Sequence, residues 1–379
     1  MSTGSEVALA GPRLRRTDGV VPVVALVVGL HVVFVVVRVL AVGGLDGFVT
    51  YDGRAYFRIA SDPLTHRLTD LGITFTRPAY WQTRIGYPVT AWAASLGGRP
   101  ALVPAALVLV NLVAIGVLAL LGARVAARAG RSAWWGAVPA TWAGFLVGLG
   151  QDLTEPLAGA LLLGALVATR SRRYVLAAVL LTAAGLTRET PLLVPAAVLA
   201  VALVPRSRAG RRPPWWVGAV PLVVYAAWRA WVRSRWADVL PHPPSDDVLG
   251  LPGTSLLRYA GSVLVHPGTE LANLALLVPA LVVLVLLAAG VGRGRVPHER
   301  LALAGYLLLL LCLPVWDRGQ AYLRWGCEPV LLGWLLLVGT PHLRRPVAVA
   351  VGVLWLLTAT QSVAYPLADG PWGGWWTWS

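Results

Sequence analysis

Apolar residues run through this chain in long blocks, each closed by a cluster of arginines or by a short turn that carries acids. Between residues 20 and 42 only His31 and Arg38 can ionise, and a helix that is hydrophobic all round lies either in a large interior or across a membrane. About 20 residues suffice to cross. The pattern predicts spans at 20–42, 102–125, 133–149, 154–169, 174–187, 190–204, 215–233, 271–291, 301–316, 328–340 and 346–362, eleven in all. Lipid leaves an unclosed chain only helices with which to satisfy its backbone polar groups. The expected fold class is therefore all-α, a polytopic membrane protein of about 11 transmembrane helices. Residues 85–98, IGYPVTAWAASLGG, would rise about 21 Å as a helix, short of a hydrocarbon core of about 30 Å. This segment is read as an interfacial or re-entrant helix on the outer face.

Composition agrees. Hydrophobic residues make up 57% of the chain and charged ones 13%, against about 25% charged in soluble domains. All 32 basic residues are arginine; with the wealth of Ala, Val, Leu, Gly and Pro, this is the usage expected of a GC-rich bacterial, actinobacterial genome. The arginines also orient the spans. Arg13, Arg15 and Arg16; Arg124, Arg128 and Arg131; Arg170, Arg172 and Arg173; Arg206, Arg208, Arg211 and Arg212; Arg293, Arg295 and Arg300; and Arg344 and Arg345 all fall on one side. By the positive-inside rule that side is cytoplasmic, which puts the N-terminus inside and the C-terminus outside in the cell membrane. Were 85–98 a full span, every later cluster would face outward. Of the 17 carboxylates only Glu6, Asp18 and Glu299 share the basic side, so chemistry is expected on the outer face.

The net charge of +15 does not imply nucleic acid, because no basic tail or stripe tracks a phosphate backbone. Cys312 and Cys327 lie in or beside apolar runs, so no structural disulfide is expected. The six His show no zinc-ligand spacing. The first apolar run is too long for a signal-peptide core and reads as an uncleaved anchor. The expected organisation is a cytoplasmic segment 1–19, a transmembrane core 20–233 with an outer loop at 43–101, a second outer loop 234–270, C-terminal helices 271–362 and an outer tail 363–379. That tail, rich in Trp, suits the membrane interface.

Five stretches break the apolar monotony. YDGRAYFRIASDP, residues 51–63, sets Asp52 beside Gly53, with Asp46 upstream and Tyr56 downstream; a carboxylate there is a candidate general base. RPAYWQTRIGYP, residues 77–88, places Arg77 and Arg84 around Tyr80, Trp81 and Tyr87, and a guanidinium fork suits phosphate. GLGQDLTEP, residues 148–156, carries Asp152 and Glu155 near a helix N-terminus, where negative charge is favoured. GLTRETP, residues 185–191, interrupts two half-length runs with Arg188 and Glu189. WDRGQAYLRWGCEP, residues 316–329, brings Asp317, Arg318, Tyr322, Arg324 and Glu328 to the same side, and loop 234–270 adds His242, Asp246 and Asp247. Ionisable groups at membrane depth are expensive and usually functional.

The order of these pieces resembles bacterial members of the GT-C superfamily, the multispanning glycosyltransferases that use polyprenyl-phosphate sugars, of the GPI-mannosyltransferase-like kind. The likeness covers roughly residues 20–205. It rests on Asp52-Gly53 with Tyr56 and Ile59-Ala60, on Arg84 with Tyr87-Pro88, on Thr154-Glu155-Pro156 and on Leu186 to Thr190. The resemblance implies a membrane glycosyltransferase that moves a sugar from a polyprenyl-phosphate donor to a glycan or lipid acceptor on the outer side, with inversion. It implies Asp52, with Asp46 second, as the base, and Arg188, Arg84 and Arg324 as ligands of the donor phosphate. Tyr56, Arg77, Trp81, Tyr87, Asp152, Glu155, Glu189 and Tyr322 are then candidates for binding acceptor or substrate. The chain departs from the commonest pattern in having Tyr51 before Asp52 and no paired acids in this loop.

No cofactor is required by this chemistry; a divalent metal at Asp46, Asp52 or Asp152 is compatible with it. The rival reading is a transporter or flippase of a lipid-linked or small polar substrate, which calls for ionisable groups midway along several spans. Here the mid-span polar content is thin: His31, Asn111 and, near one end, Arg38.

Overall fold

A computed structural model describes residues 19–204, 212–239, 249–294, 296–316, 320–343 and 345–364. Outside these fall Glu6, Arg13, Arg15, Arg16, Asp18, Arg206, Arg208, Arg211, His242, Asp246, Asp247, Arg295, Asp317, Arg318, Arg344 and the Trp-rich tail from residue 365. The described helices are α1 Val20–Val42, α2 Gly53–Ser61, α3 Pro78–Thr83, α4 Gly86–Ala94, α5 Val103–Arg128, α6 Ala137–Ala140, α7 Ala143–Gly150, α8 Glu155–Arg170 and α9 Tyr174–Thr187. They continue with α10 Leu193–Leu203, α11 Trp216–Arg235, α12 Thr254–Val265, α13 Pro267–Ala288, α14 Gly290–Arg293, α15 Pro297–Cys312, α16 Ala321–Trp325, α17 Cys327–Leu337 and α18 Arg345–Ala364.

Four helical stretches are long and apolar enough to cross a membrane: Val20–Val42, Val103–Arg128, Glu270–Arg293 and Arg345–Ala364. Their outward side chains, such as Val21, Leu40, Val285 and Val349, are exposed, as lipid-facing positions must be. The chain is a mostly helical membrane protein. Helices also stand at the other expected span positions, several of them short.

Packing runs in a closed circuit. In the order α1, α5, α8, α9, α11, α10, α15, α17, α13 and α18, each helix packs on the next, and α18 returns to α1. Every residue of α7 and of α17 is buried. The span expected over 133–149 is not continuous: a 3-10 turn at Ala133–Gly136, then α6, then α7 occupy it. Pro139 lacks an N–H to donate, the Thr141 hydroxyl bonds back to the Ala137 carbonyl, and Trp142 turns extended (ψ 129°) so that its indole N–H donates to the Leu323 carbonyl at 2.8 Å. Tertiary hydrogen bonding overrides apolar continuity there.

The loop 43–101 is structured. It holds α2, α3 and α4, and one departure from an all-helical chain, the two-residue strands Thr69–Asp70 and Ile73–Thr74, paired antiparallel. Leu71 and Gly72 both have positive φ, the geometry of a tight hairpin turn. Arg58 does not snorkel. It is buried over the Phe75 ring at 3.8 Å and donates to the carbonyls of Leu68, Ile73 and Arg67, pinning the hairpin to α2. The segment 85–98 contains only the nine residues of α4, which pack on α5 and α2.

Candidate functional site

Two close approaches bring distant segments together. A Cβ on Gly53 would stand 2.3 Å from the Gln151 carbonyl oxygen, and one on Gly86 2.4 Å from Thr187 Oγ1, so only glycine lets α2 touch the 150–153 turn and α4 touch the end of α9. Tyr51, just before Asp52, sits in the left-handed region at φ 53°, uncommon for a residue with a Cβ. This kink, with the start of α2, aims the Asp52 carboxylate inward.

Asp52 Oδ1 accepts the Trp81 indole N–H at 3.0 Å; Oδ2 stands 4.0 Å from Arg84 and 3.8 Å from Arg324. Arg84 forms a two-pronged bond to Glu189, donates to the Tyr56 hydroxyl at 3.2 Å and lies over the Tyr80 ring at 4.3 Å. Arg324 donates from Nε to Glu155 Oε1 at 2.6 Å. The same Oε1 lies 3.2 Å from Arg188, whose other carboxylate neighbour is Glu328 at 3.9 Å. The Thr190 hydroxyl donates to Glu328 Oε1 at 2.5 Å, and Tyr306 donates to the Thr190 carbonyl. Oε2 of Glu155 and Oε2 of Glu328 are buried with no hydrogen-bond partner among the described residues.

This cluster draws on α2, α3, α8, the α9–α10 junction, α16 and α17. It contains three guanidinium groups (Arg84, Arg188, Arg324) and four carboxylates (Asp52, Glu155, Glu189, Glu328). With acids in excess it is no anion trap. The three arginines expected to hold a donor phosphate, Arg84, Arg188 and Arg324, each lie beside carboxylates inside the protein. Burial works against the Arg84 charge, but Glu189 outweighs it and holds the guanidinium above its ordinary range. Burial likewise opposes ionisation of Glu189, yet Arg84 pulls this carboxyl down to about 2. Burial pushes the Tyr56 phenol up to about 12 despite Arg84 nearby, so Tyr56 keeps its proton and accepts from arginine.

Beside the cluster opens a cavity of about 860 Å³. Tyr80, Glu189, Thr190 and Trp325 form the wall it shares with the cluster, and Glu189 is the carboxylate turned to it, with a third of its side chain exposed (33%). Arg77, Arg229 and Arg233 line it with Tyr225, and none of the three arginines makes an ion pair among the described residues. Apart from Thr83 the rest of the lining is apolar, including Leu193 and Ala196 of α10, Leu222 of α11 and Leu309 of α15. Free cations at one part and hydrocarbon at another make an amphipathic pocket.

Other expected site residues fall elsewhere. Tyr87 is fully buried, donating to the Leu107 carbonyl and accepting from Asn111, and Tyr322 is fully buried, bonded to Asn273 and stacked on Trp316. Both are core residues because burial of a phenol demands a partner, which each finds inside the bundle. Asp46 is exposed in its own 3-10 turn and forms no ion pair with the cluster. Asp152 is wholly buried at φ 52°, both oxygens lacking hydrogen-bond partners among the described residues. Burial pushes its carboxyl well above the usual range, with Arg38 in partial opposition. Asp46, Asp52 and Asp152 are not gathered: among the described residues no three acidic, His or Cys groups are placed to hold a metal.

Tyr225, Arg229 and Arg233 were not anticipated. Their signal was present as a tyrosine and two arginines spaced four apart, which share a helix face, in the closing turns of an otherwise apolar segment. Comparison with family models, curated proteins and solved structures yields no match to this chain.

Proposed function

We propose that this protein is a membrane glycosyltransferase of GT-C type that transfers a sugar from a polyprenyl-phosphate donor to an envelope glycan or lipid, on the outer face of a bundle of about eleven spans. What supports this reading is the cavity: three arginines without an ion pair among the described residues and a wall of leucines in one space, sharing a side with the cluster that holds Asp52. A lipid phosphate has that polarity. Its phosphate would lie on Arg77, Arg229 and Arg233 and its prenyl chain along α10, α11 and α15.

The acceptor oxygen bonds to the anomeric carbon as the bond from that carbon to the phosphate oxygen breaks. The electron pair leaves on the phosphate, where Arg77, Arg229 and Arg233 stabilise a charge that grows in the transition state. The acceptor proton passes to Asp52, so attack comes from the side opposite the leaving group and the product is inverted. Trp81 and the two flanking guanidinium groups fix the orientation of the Asp52 carboxylate. Arg188, Glu155 and Glu328 brace the cluster from beneath.

The test uses membranes containing the full chain and a panel of labelled polyprenyl-phosphate sugars. Transfer by the wild type, lost about 100-fold or more in Asp52→Asn as expected for removal of a general base, supports the reading. Full transfer by Asp52→Asn, or the absence of transfer from every donor alongside counter-flow of a polar solute across the membrane, overturns it.

A further inference from the structure

The opposite, arginine-rich end of the bundle holds a second cavity system that the transfer reaction does not use. A groove of about 660 Å³ runs between α5, α8 and α9, floored by small residues (Ala114, Ala160, Gly164 and Ala168) and lined almost wholly by hydrocarbon. Its polar end is made of Arg124, Arg128, Arg173 and Ser171. A second cavity of about 520 Å³ begins there, sharing Val125, Arg128, Val167 and Ser171 with the groove and adding Arg170, Arg293 and Thr340. Among the described residues no Asp or Glu lines either space.

Arg170 is held by Glu299 in a two-pronged bond. Arg124, Arg128, Arg173 and Arg293 make no ion pair among the described residues. They come from three different segments, the ends of α5 and α14 and the start of α9: Arg124, Arg128 and Arg173 line the groove, and Arg128 and Arg293 line the cavity that adjoins it. A general positive-inside bias puts arginines in loops; it does not place them at the mouth of an apolar groove. Each arginine near a membrane surface contributes about 1 kcal/mol of attraction to anionic lipid, and one leaflet's share of the hydrocarbon is about 15 Å, about ten residues of helix rise. Counted back from Arg128, ten residues reach Leu118, with Val117 of the groove lining just beyond. An acyl chain entering at the arginines is accommodated within the groove.

We propose that this groove binds one anionic glycerophospholipid, its phosphate among Arg124, Arg128, Arg173 and Arg293 and an acyl chain between α5 and α9. The site is independent of the proposed transfer chemistry. Its occupant bolts together helices whose contact surfaces are left open there by small side chains.

Full-length protein in nanodiscs or detergent, titrated with phosphatidylglycerol or phosphatidylcholine and read by native mass spectrometry, tests this. Phosphatidylglycerol is expected to remain bound at least tenfold better than phosphatidylcholine. Arg128→Gln with Arg173→Gln is expected to lower that retention about tenfold or more, by removing two such cations. Leu176→Trp, at an exposed groove position (44%) one turn from Arg173, is expected to lower it equally while leaving the charges in place. Equal retention of the two lipids overturns the proposal. So does displacement of phosphatidylglycerol by millimolar inorganic phosphate, or loss in the arginine variant with full retention in Leu176→Trp, since either marks a site for a free anion.

Discussion

Glu155 is the anion on which the cluster turns. Its Oε1 alone meets Arg324 at 2.6 Å and Arg188 at 3.2 Å, and its side chain is wholly buried. Glu155→Gln keeps the shape and an acceptor oxygen but removes the charge. Arg188 is then left with Glu328 at 3.9 Å, and Arg324 with Asp52 at 3.8 Å. One contact near 4 Å is worth about 4 kcal/mol in a medium of effective dielectric 20, and breaking a buried pair from one side costs about 3–5 kcal/mol. The expected result is destabilisation of that size, a fall of about 5–10 °C in the melting midpoint, followed by Trp fluorescence of the detergent-solubilised chain. Adding Arg324→Gln removes the stranded cation, so the double variant should be less destabilised than the sum of the singles by about 1–3 kcal/mol. A Glu155→Gln protein that melts with the wild type, or strict additivity of the two changes, refutes the account of the cluster as a mutually compensating network.

Gly53→Ala forces a Cβ to 2.3 Å from the Gln151 carbonyl; the start of α2 must withdraw, with a stability loss of about 1–3 kcal/mol in the same melting assay and a loss of transfer as Asp52 moves with it. Glu189, held at about 2 by Arg84, has its folded value below its unfolded one, so its contribution is complete above the ordinary carboxylate range and fades as pH falls toward 2. Glu189→Gln is therefore expected to flatten the acid limb of the melting profile, and an unchanged limb counts against the Arg84 pair. Arg229→Ala and Arg233→Ala should each raise KM for the polyprenyl-phosphate donor about tenfold with the melting midpoint unchanged, since neither arginine has a partner to lose among the described residues; an unchanged KM in both removes them from the donor site.

The helical architecture was legible because lipid enforces a simple code, long apolar blocks separated by short charged turns. Helix limits at α1, α8, α9 and α18 fall within about two residues of the pattern. The interruption at Trp142 was not legible, because its cause is a carbonyl 181 residues away. Within the site, Asp52, Arg84, Glu155, Arg188, Glu189 and Arg324 stood out as charges in apolar surroundings and do meet. Which of them remain free to bind something is a property of pairing, and pairing between residues 84 and 189 or 155 and 324 leaves no trace in local sequence. For the same reason Tyr87 and Tyr322, conspicuous in the chain, proved to be satisfied by neighbours from other helices.

The burial of α7 has a consequence for biogenesis. Eight residues rise about 12 Å, too little to reach across a bilayer, and none of them faces outward. Its neighbours include α16 and α18, which leave the ribosome almost two hundred residues later. The first half of the protein thus stays incompletely enclosed until α18 has been delivered, and a chain cut before residue 345 leaves bare the flank of α7 that α18 covers, a ready substrate for membrane quality control.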